Sequence, residues 1–317
     1  MAVALTFPGQ GSQSVGMGRA LAEAFPAARA VFDEVDAALG EKLSQVIWEG
    51  PADILTLTEN AQPALMAVSL AVFRVLETEA GLDLARDVRF VAGHSLGEYS
   101  ALAAAGAMSI ADTARALRRR GQAMQKAVPV GTGAMAALLG LDFAAAAEVA
   151  REAAPAGSGE VCEAANDNGG GQVVVSGHKA AVERAVEIAR ARGARRAMLL
   201  PVSAPFHCSL MQPAAEAMAE TLAGIAIRPA AVPVVANVLA RPVSAPDEIR
   251  AALVAQVTGT VRWRECVSYM ASQGVTTFYE VGAGKVLSGL VKRIAEGASG
   301  TPIGSPEDIA AYRSAAA

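Results

Sequence analysis

Val88-Arg89-Phe90-Val91-Ala92-Gly93-His94-Ser95-Leu96-Gly97 runs from a strand-like apolar segment straight into Gly-x-Ser-x-Gly, and Ser100 to Ala105 continues as a helix. This is the pattern of a nucleophile elbow. A sharp turn from strand to helix forces unusual backbone angles on the serine. Small residues two positions to either side let the turn close on its neighbours. The hydroxyl then stands clear at the end of the sheet, above a helix start whose first N–H groups are unpaired. Five residues alone also fit an ordinary Gly-rich turn, so the flanking strand and helix carry the assignment.

Working outward, the same alternation recurs. Val3 to Phe7 reads as a buried strand and Pro8 to Gly18 as a loop rich in Gly, Ser and Gln. Arg19 to Leu39 has helical periodicity that Pro26 should interrupt. Gln62 to Glu79 and Ile110 to Ala127 are predicted helices. From Pro129-Val130-Gly131-Thr132-Gly133 onward the pattern changes. Strand Ala134 to Gly140, helix Phe143 to Ala153, strands Val161 to Ala165 and Gln172 to Ser176, helix Ala180 to Arg192 and strand Ala197 to Pro201 spell βαββαβ. Helices Met211 to Leu222, Asp247 to Gln256 and Trp263 to Gln273 then alternate with strands Pro233 to Asn237 and Thr277 to Val281. The predicted fold class is α/β, with a parallel-sheet large domain and an inserted small ferredoxin-like domain. Residues 1–129 and 204–317 form the first and 130–203 the second. The Ala-rich tail after Ser305 is expected to fray.

Composition narrows the function. The chain has 317 residues, 53% of them hydrophobic and 18% charged, which excludes a disordered protein. Its net charge of −4 argues against a nucleic-acid partner. No apolar run approaches the ~18–20 residues of a membrane span, and the N-terminus reads as no signal peptide. A cytoplasmic protein is expected. Cys162, Cys208 and Cys266 match no metal or redox spacing and are expected to be buried free thiols.

A serine hydroxyl needs a base, and the chain has only three histidines. His94 adjoins Ser95, and its ring should point away from it. His178 follows a predicted strand and reads as a surface or helix-start residue. His207, in Ala204-Pro205-Phe206-His207-Cys208, lies where the chain re-enters the large domain, and a rigid apolar loop there can hold an imidazole over the elbow. No carboxylate stands out as a third member. A backbone carbonyl can fix the histidine instead, leaving a Ser-His dyad.

Phe7-Pro8-Gly9-Gln10-Gly11-Ser12-Gln13, Gly93-His94-Ser95-Leu96-Gly97-Glu98-Tyr99, Pro205-Phe206-His207, Gly131-Thr132-Gly133-Ala134-Met135 and Glu280-Val281-Gly282 together resemble the malonyl-coenzyme A:acyl carrier protein transacylases over nearly the whole chain. The resemblance implies a site in the cleft between a hydrolase-like domain and a ferredoxin-like insert. It implies Ser95 as nucleophile and His207 as base. The backbone N–H groups of Gln10 and Leu96 would form the oxyanion hole. Arg120, in Leu117-Arg118-Arg119-Arg120-Gly121, would pair with the malonyl carboxylate, while Arg118 and Arg119 read as a solvated helix face. The backbone carbonyl of Gln256 would orient the histidine, although Gln256-Val257-Thr258-Gly259-Thr260-Val261 is only loosely similar to the family's segment.

Phe206, beside the base, either excludes branched acyl groups or packs in the core. Asn166 and Asn168 sit in a polar turn of the small domain that could edge the cleft, and a simple turn role is the first reading for them. The implied partners are malonyl-coenzyme A and an acidic acyl carrier protein, with no cofactor, no metal and a monomeric chain. Arg190, Arg192, Arg195, Arg196, Lys285, Lys292 and Arg293 are candidate docking cations, though each reads first as an ordinary surface charge. Three alternatives stay open: a serine hydrolase, a transacylase serving polyketide rather than fatty-acid synthesis, and a non-catalytic module on the same scaffold.

Overall fold

The computed structural model describes residues 2–316, with side chains to Ser314. Ten strands occur among them: β1 Ala2–Phe7, β2 Phe90–Gly93, β3 Gly133–Leu139, β4 Cys162–Asp167, β5 Gln172–His178, β6 Arg196–Leu199, β7 Val234–Ala236, β8 Arg241–Val243, β9 Val275–Val281 and β10 Ser299–Ile303. They form a six-stranded sheet in the order β10-β9-β1-β2-β7-β8 and a four-stranded sheet in the order β4-β5-β3-β6. The first is parallel except for β8, an antiparallel edge strand paired with β7. The second is antiparallel throughout, with the strand order of a ferredoxin-like unit. The fold class read from the sequence is the one observed.

β1 and β2 lie at the middle of the large sheet and are fully buried along most of their length, so they read as apolar runs without alternation. Helix Thr58–Glu79 is covered almost all round by helices Pro26–Leu39, Leu96–Ala104 and Ile110–Lys126. In the small sheet the period-2 rule separates two faces. Ala136, Leu138, Val173 and Val175 pack with helices Phe143–Ala153 and Lys179–Ala191 in one cluster, whereas Met135 and Val174 join the core of the large sheet. The inserted unit therefore presents its uncovered face to the rest of the molecule.

Strand β4 is also tied to the segment around Val261, outside both sheets. Val261 N–H donates to Ala165 O at 2.9 Å and Asp167 N–H to Val261 O at 2.9 Å, and Arg264 Nε bonds Asp167 Oδ2 at 2.8 Å.

Several expectations need correction. The tail does not fray after Ser305: Pro306–Ala316 is a helix with Ile309 buried. Asp308 Oδ2 accepts from Gly304 and Ser305 N–H groups, and Tyr312 packs edge-on against Tyr279 of β9. The interruption expected at Pro26 is present, by contrast: one helix ends at Ala24 and Pro26 opens the next, where its missing N–H costs nothing. The helix predicted from Gln62 begins at Thr58, so the residues ahead of Pro63 belong to it. Strand β10, the β8 edge and helix Val286–Ile294 were not anticipated.

Candidate active site

Ser95 sits between β2 and helix Leu96–Ala104 with φ 53° and ψ −110°, a disfavoured backbone for a residue with a side chain. The turn closes only because its flanks are glycine. A Cβ on Gly93 would stand 1.9 Å from the Gly97 backbone, and one on Gly97 would stand 2.2 Å from Phe7 O. Asn237, just past β7, locks the loop from below: its Oδ1 accepts from Ser95 N–H at 2.8 Å and its Nδ2 donates to Gly93 O at 2.7 Å.

His207 faces the serine. Its Nδ1 lies 2.9 Å from the backbone oxygen of Gln256, and its Nε2 lies 2.7 Å from Ser95 Oγ. A carbonyl can only accept, so Nδ1 carries the proton and Nε2 is left free to take the serine's. His207 is 4% exposed. Burial, then the nearby Arg120 charge, push its pKa down to about 3, so the resting ring is neutral.

Arg120, on helix Ile110–Lys126, is 1% exposed, and among the described residues no carboxylate pairs with it. Its Nη1 donates to Gln62 Oε1 at 2.8 Å, and its Nη2 to Gln256 Oε1 at 2.9 Å and to Ser95 Oγ at 3.2 Å. The guanidinium lies 5.6 Å from the centre of the Tyr99 ring, and Nε is unpartnered. Burial lowers its pKa, but an arginine stays protonated at working pH. A buried cation held by neutral oxygens is an incomplete electrostatic arrangement that an incoming carboxylate would complete. From Gln62 the chain of contacts continues: Nε2 donates to Thr58 Oγ1 at 2.9 Å, and Thr58 Oγ1 donates to Gln10 Oε1 at 3.0 Å.

Leu96 opens its helix, so its N–H is one of the first-turn donors without an intrahelical acceptor. Gln10 lies in the loop after β1, and both residues line the same cleft as Ser95, His207, Arg120 and Phe206. The cleft holds about 540 Å³. Met135, Ala137, Val174, Leu200 and Val202 form its opposite wall. Phe206 is buried at its edge.

All seven site residues picked from the sequence converge here. His94 points away from Ser95, as expected, with Nε2 2.8 Å from Asn168 Oδ1. His178 Nδ1 accepts from Val161 N–H at 2.8 Å and takes no part. Two expectations change. Asn166 lies on β4 rather than in a turn, and both Asn166 and Asn168 line the cleft. Arg118 is not freely solvated, being half-buried and bonded to Asn60 and Glu41. Arg190 and Arg192 are exposed and paired with Glu187 and with Glu148 and Glu152.

The sequence reading missed Gln62, Thr58, Asn237 and Glu98. Glu98 is 1% exposed and its Oε2 accepts from Asn237 N–H at 2.8 Å and Gln256 Nε2 at 2.9 Å. Its signal was available: it is the one charged residue in a helix of otherwise small and apolar side chains.

The family model for the acyl transferase domain matches residues 5–304. A malonyl CoA-acyl carrier protein transacylase of Escherichia coli K12 is 48% identical over 308 residues, 97% of either chain. The crystal structure of an acyl-carrier-protein S-malonyltransferase from Bartonella henselae is 57% identical, covers 100% of both chains and superposes with a TM-score of 0.96. A type II PKS acyl-carrier protein in complex with its malonyl-transacylase is 41% identical with a TM-score of 0.95, covering 99% of this chain and 100% of that one.

Proposed function

The chain belongs to the acyl transferase domain family, and from that premise we infer that it moves malonyl from malonyl-coenzyme A to the phosphopantetheine thiol of acyl carrier protein through an ester on Ser95. The observation that carries the site assignment is that one hydroxyl touches both a neutral histidine at 2.7 Å and a buried, carboxylate-free arginine at 3.2 Å.

Ser95 Oγ attacks the thioester carbonyl while its proton passes to His207 Nε2. The Oγ–C bond forms, and charge gathers on the carbonyl oxygen, which the Gln10 and Leu96 N–H groups receive. Losing one such donor costs about 3–4 kcal/mol of transition-state stabilisation. The C–S bond then breaks and His207 returns the proton to the coenzyme A sulfur. The carrier's thiol reverses these steps, giving ping-pong transfer.

The imidazolium formed in between is held by the Gln256 carbonyl, which does the orienting work of a triad acid without its charge. Arg120 selects malonyl because its fork fits a carboxylate, and acetyl would leave it buried and unpaired. The chemistry needs no cofactor. A division into 1–129 with 204–317 and 130–203, a monomeric state and a cytoplasmic location complete the proposal. Among the described residues no helix is long and apolar enough to cross a membrane. Service to fatty-acid synthesis is the main reading. The likeness to the enzyme bound to a type II PKS carrier keeps polyketide supply as the second.

The test is to incubate the protein with radiolabelled malonyl-coenzyme A without acceptor, beside Ser95→Ala. Denaturation-stable label on wild type alone, transferable to carrier protein, is expected. Free malonate without transfer would make the protein a hydrolase. No label on a folded protein would remove Ser95 from the mechanism.

A further inference from the structure

We propose that Glu98 is a positioning residue for substrate choice, fixing which end of the Gln256 amide faces Arg120. This rests on the reading of Arg120 as the malonyl-carboxylate partner.

An amide side chain has two ends of similar shape and opposite polarity. The Gln256 amide lies in a fully buried slot where only one orientation suits both ends. Its oxygen receives Arg120 Nη2 at 2.9 Å. Its nitrogen faces three acceptors: Glu98 Oε2 at 2.9 Å, Ser95 O at 3.0 Å and Asn237 Oδ1 at 3.3 Å. Turned over, the NH₂ would meet the guanidinium donor to donor and the oxygen would meet three acceptors. Glu98 makes the shortest of the three contacts and is the only one that can carry charge.

The Asn237 oxygen is already engaged by Ser95 N–H at 2.8 Å, which leaves Glu98 as the principal anchor. The same Glu98 oxygen takes Asn237 N–H at 2.8 Å. One carboxyl thus braces both Gln256, which aims Arg120, and Asn237, which holds the elbow.

The brace needs an acceptor oxygen and holds in either protonation state. Burial lifts Glu98 to about 7, against the pull of the two donors and Arg120. The ionisable groups facing it are Arg120, Tyr99 and Cys266. With a proton on Oε1, Oε2 still accepts from both partners, so the brace survives titration.

The two braces predict separable effects. Loss of the Asn237 brace disturbs the nucleophile and slows every acyl group alike. Loss of the Gln256 brace misaims Arg120 and is felt only by substrates with a carboxylate. The measurement is the ratio of kcat/KM for malonyl- over acetyl-coenzyme A in Glu98→Met and Glu98→Gln, each repeated in a Gln256→Ala background. The expected result is a roughly 10–30-fold fall in the ratio for Glu98→Met. Glu98→Gln, whose amide oxygen can take the same two donors, should stay within about threefold of wild type. In Gln256→Ala the further Glu98→Met change should move the ratio less than about threefold.

A proportional loss for both substrates, or an equal fall of the ratio with Gln256 truncated, would overturn the proposal. So would a Glu98→Gln enzyme that is folded but loses the preference. Should Glu98→Met fail to fold, Glu98→Asp withdraws the same acceptor by one methylene and takes its place in the cycle. A wild type with no preference for malonyl would instead defeat the reading of Arg120 itself.

Discussion

The two walls of the cleft above Ser95 are made of opposite materials. The large-domain wall is backed by a continuous polar network in which Arg120, Gln62, Gln256, Glu98 and Asn237 are all nearly or fully buried and bonded to one another, with Arg120 and Gln62 reaching the cleft. The facing wall, from the uncovered side of the antiparallel sheet and the segment after it, is mainly the apolar Met135, Ala137, Val174, Leu200 and Val202, beside the polar Asn166, Asn168 and Gln172. Buried polar groups are costly unless every partner is in place, so such a network tolerates one geometry only. An apolar wall makes non-directional contacts and tolerates small changes in shape. On the proposed function, reaction and acyl choice fall to the first wall, and holding the long arm of the thioester to the second.

The comparison breaks most sharply at His207. His207→Ala leaves the serine without a base and should lower kcat/KM by about 10³–10⁴-fold with the fold intact by thermal unfolding. A loss under tenfold would mean that something other than the dyad activates Ser95. Arg120→Met comes next. It removes the carboxylate partner but keeps the stem's bulk, so malonyl transfer should fall and the malonyl preference over acetyl shrink by about 10²–10³-fold. A preference left intact would move selection to another residue.

The polar wall also sets the pH response, since kcat/KM reports the free enzyme's essential groups. With His207 held down at about 3, the neutral base is already fully present at pH 5.5. An ordinary imidazole of pKa ≈ 6.5 would lose about tenfold between pH 7.5 and 5.5. The expected profile changes less than about twofold on that limb. A step near 6.5 would show that His207 is better solvated than its burial implies. Arg120→Met removes the second-largest cause of the depression, after burial, and should shift the acid limb to higher pH.

The same contrast decides what could be read from the chain. Ser95 was legible because a strained turn demands glycines at fixed spacing, here Gly93 and Gly97. The βαββαβ insert was legible because its strands alternate and its helices are amphipathic. His207 followed from scarcity, there being three histidines. Gln10, Leu96, Arg120 and Gln256 came only through resemblance. Their contacts join parts of the chain as distant as Arg120 and Gln256, and no local pattern encodes such pairs. Gln62 and Asn237 stayed hidden for the same reason, since an amide in a helix or beside a strand gives no sign of what it will meet, whereas Glu98 could have been flagged as the lone charge of an apolar helix. The final helix was misjudged because alanine-rich composition hid Ile309 and Tyr312, the two side chains that dock it.

The apolar wall supplies the smallest effect. Leu200 and Met135 lie side by side on it, joined by Leu200 N–H to Met135 O at 2.8 Å. Truncating Leu200 to Ala removes partly exposed apolar contact worth about 1 kcal/mol to bound pantetheine, which is about fivefold in affinity. Contact made equally in ground and transition states appears in KM and leaves kcat alone. Leu200→Ala should therefore raise KM for malonyl-coenzyme A about fivefold, keep kcat within about twofold and leave the malonyl preference unchanged. A fall in kcat instead would mean that the small domain helps to place the thioester carbonyl against Ser95, and the division of labour between the walls would have to be redrawn.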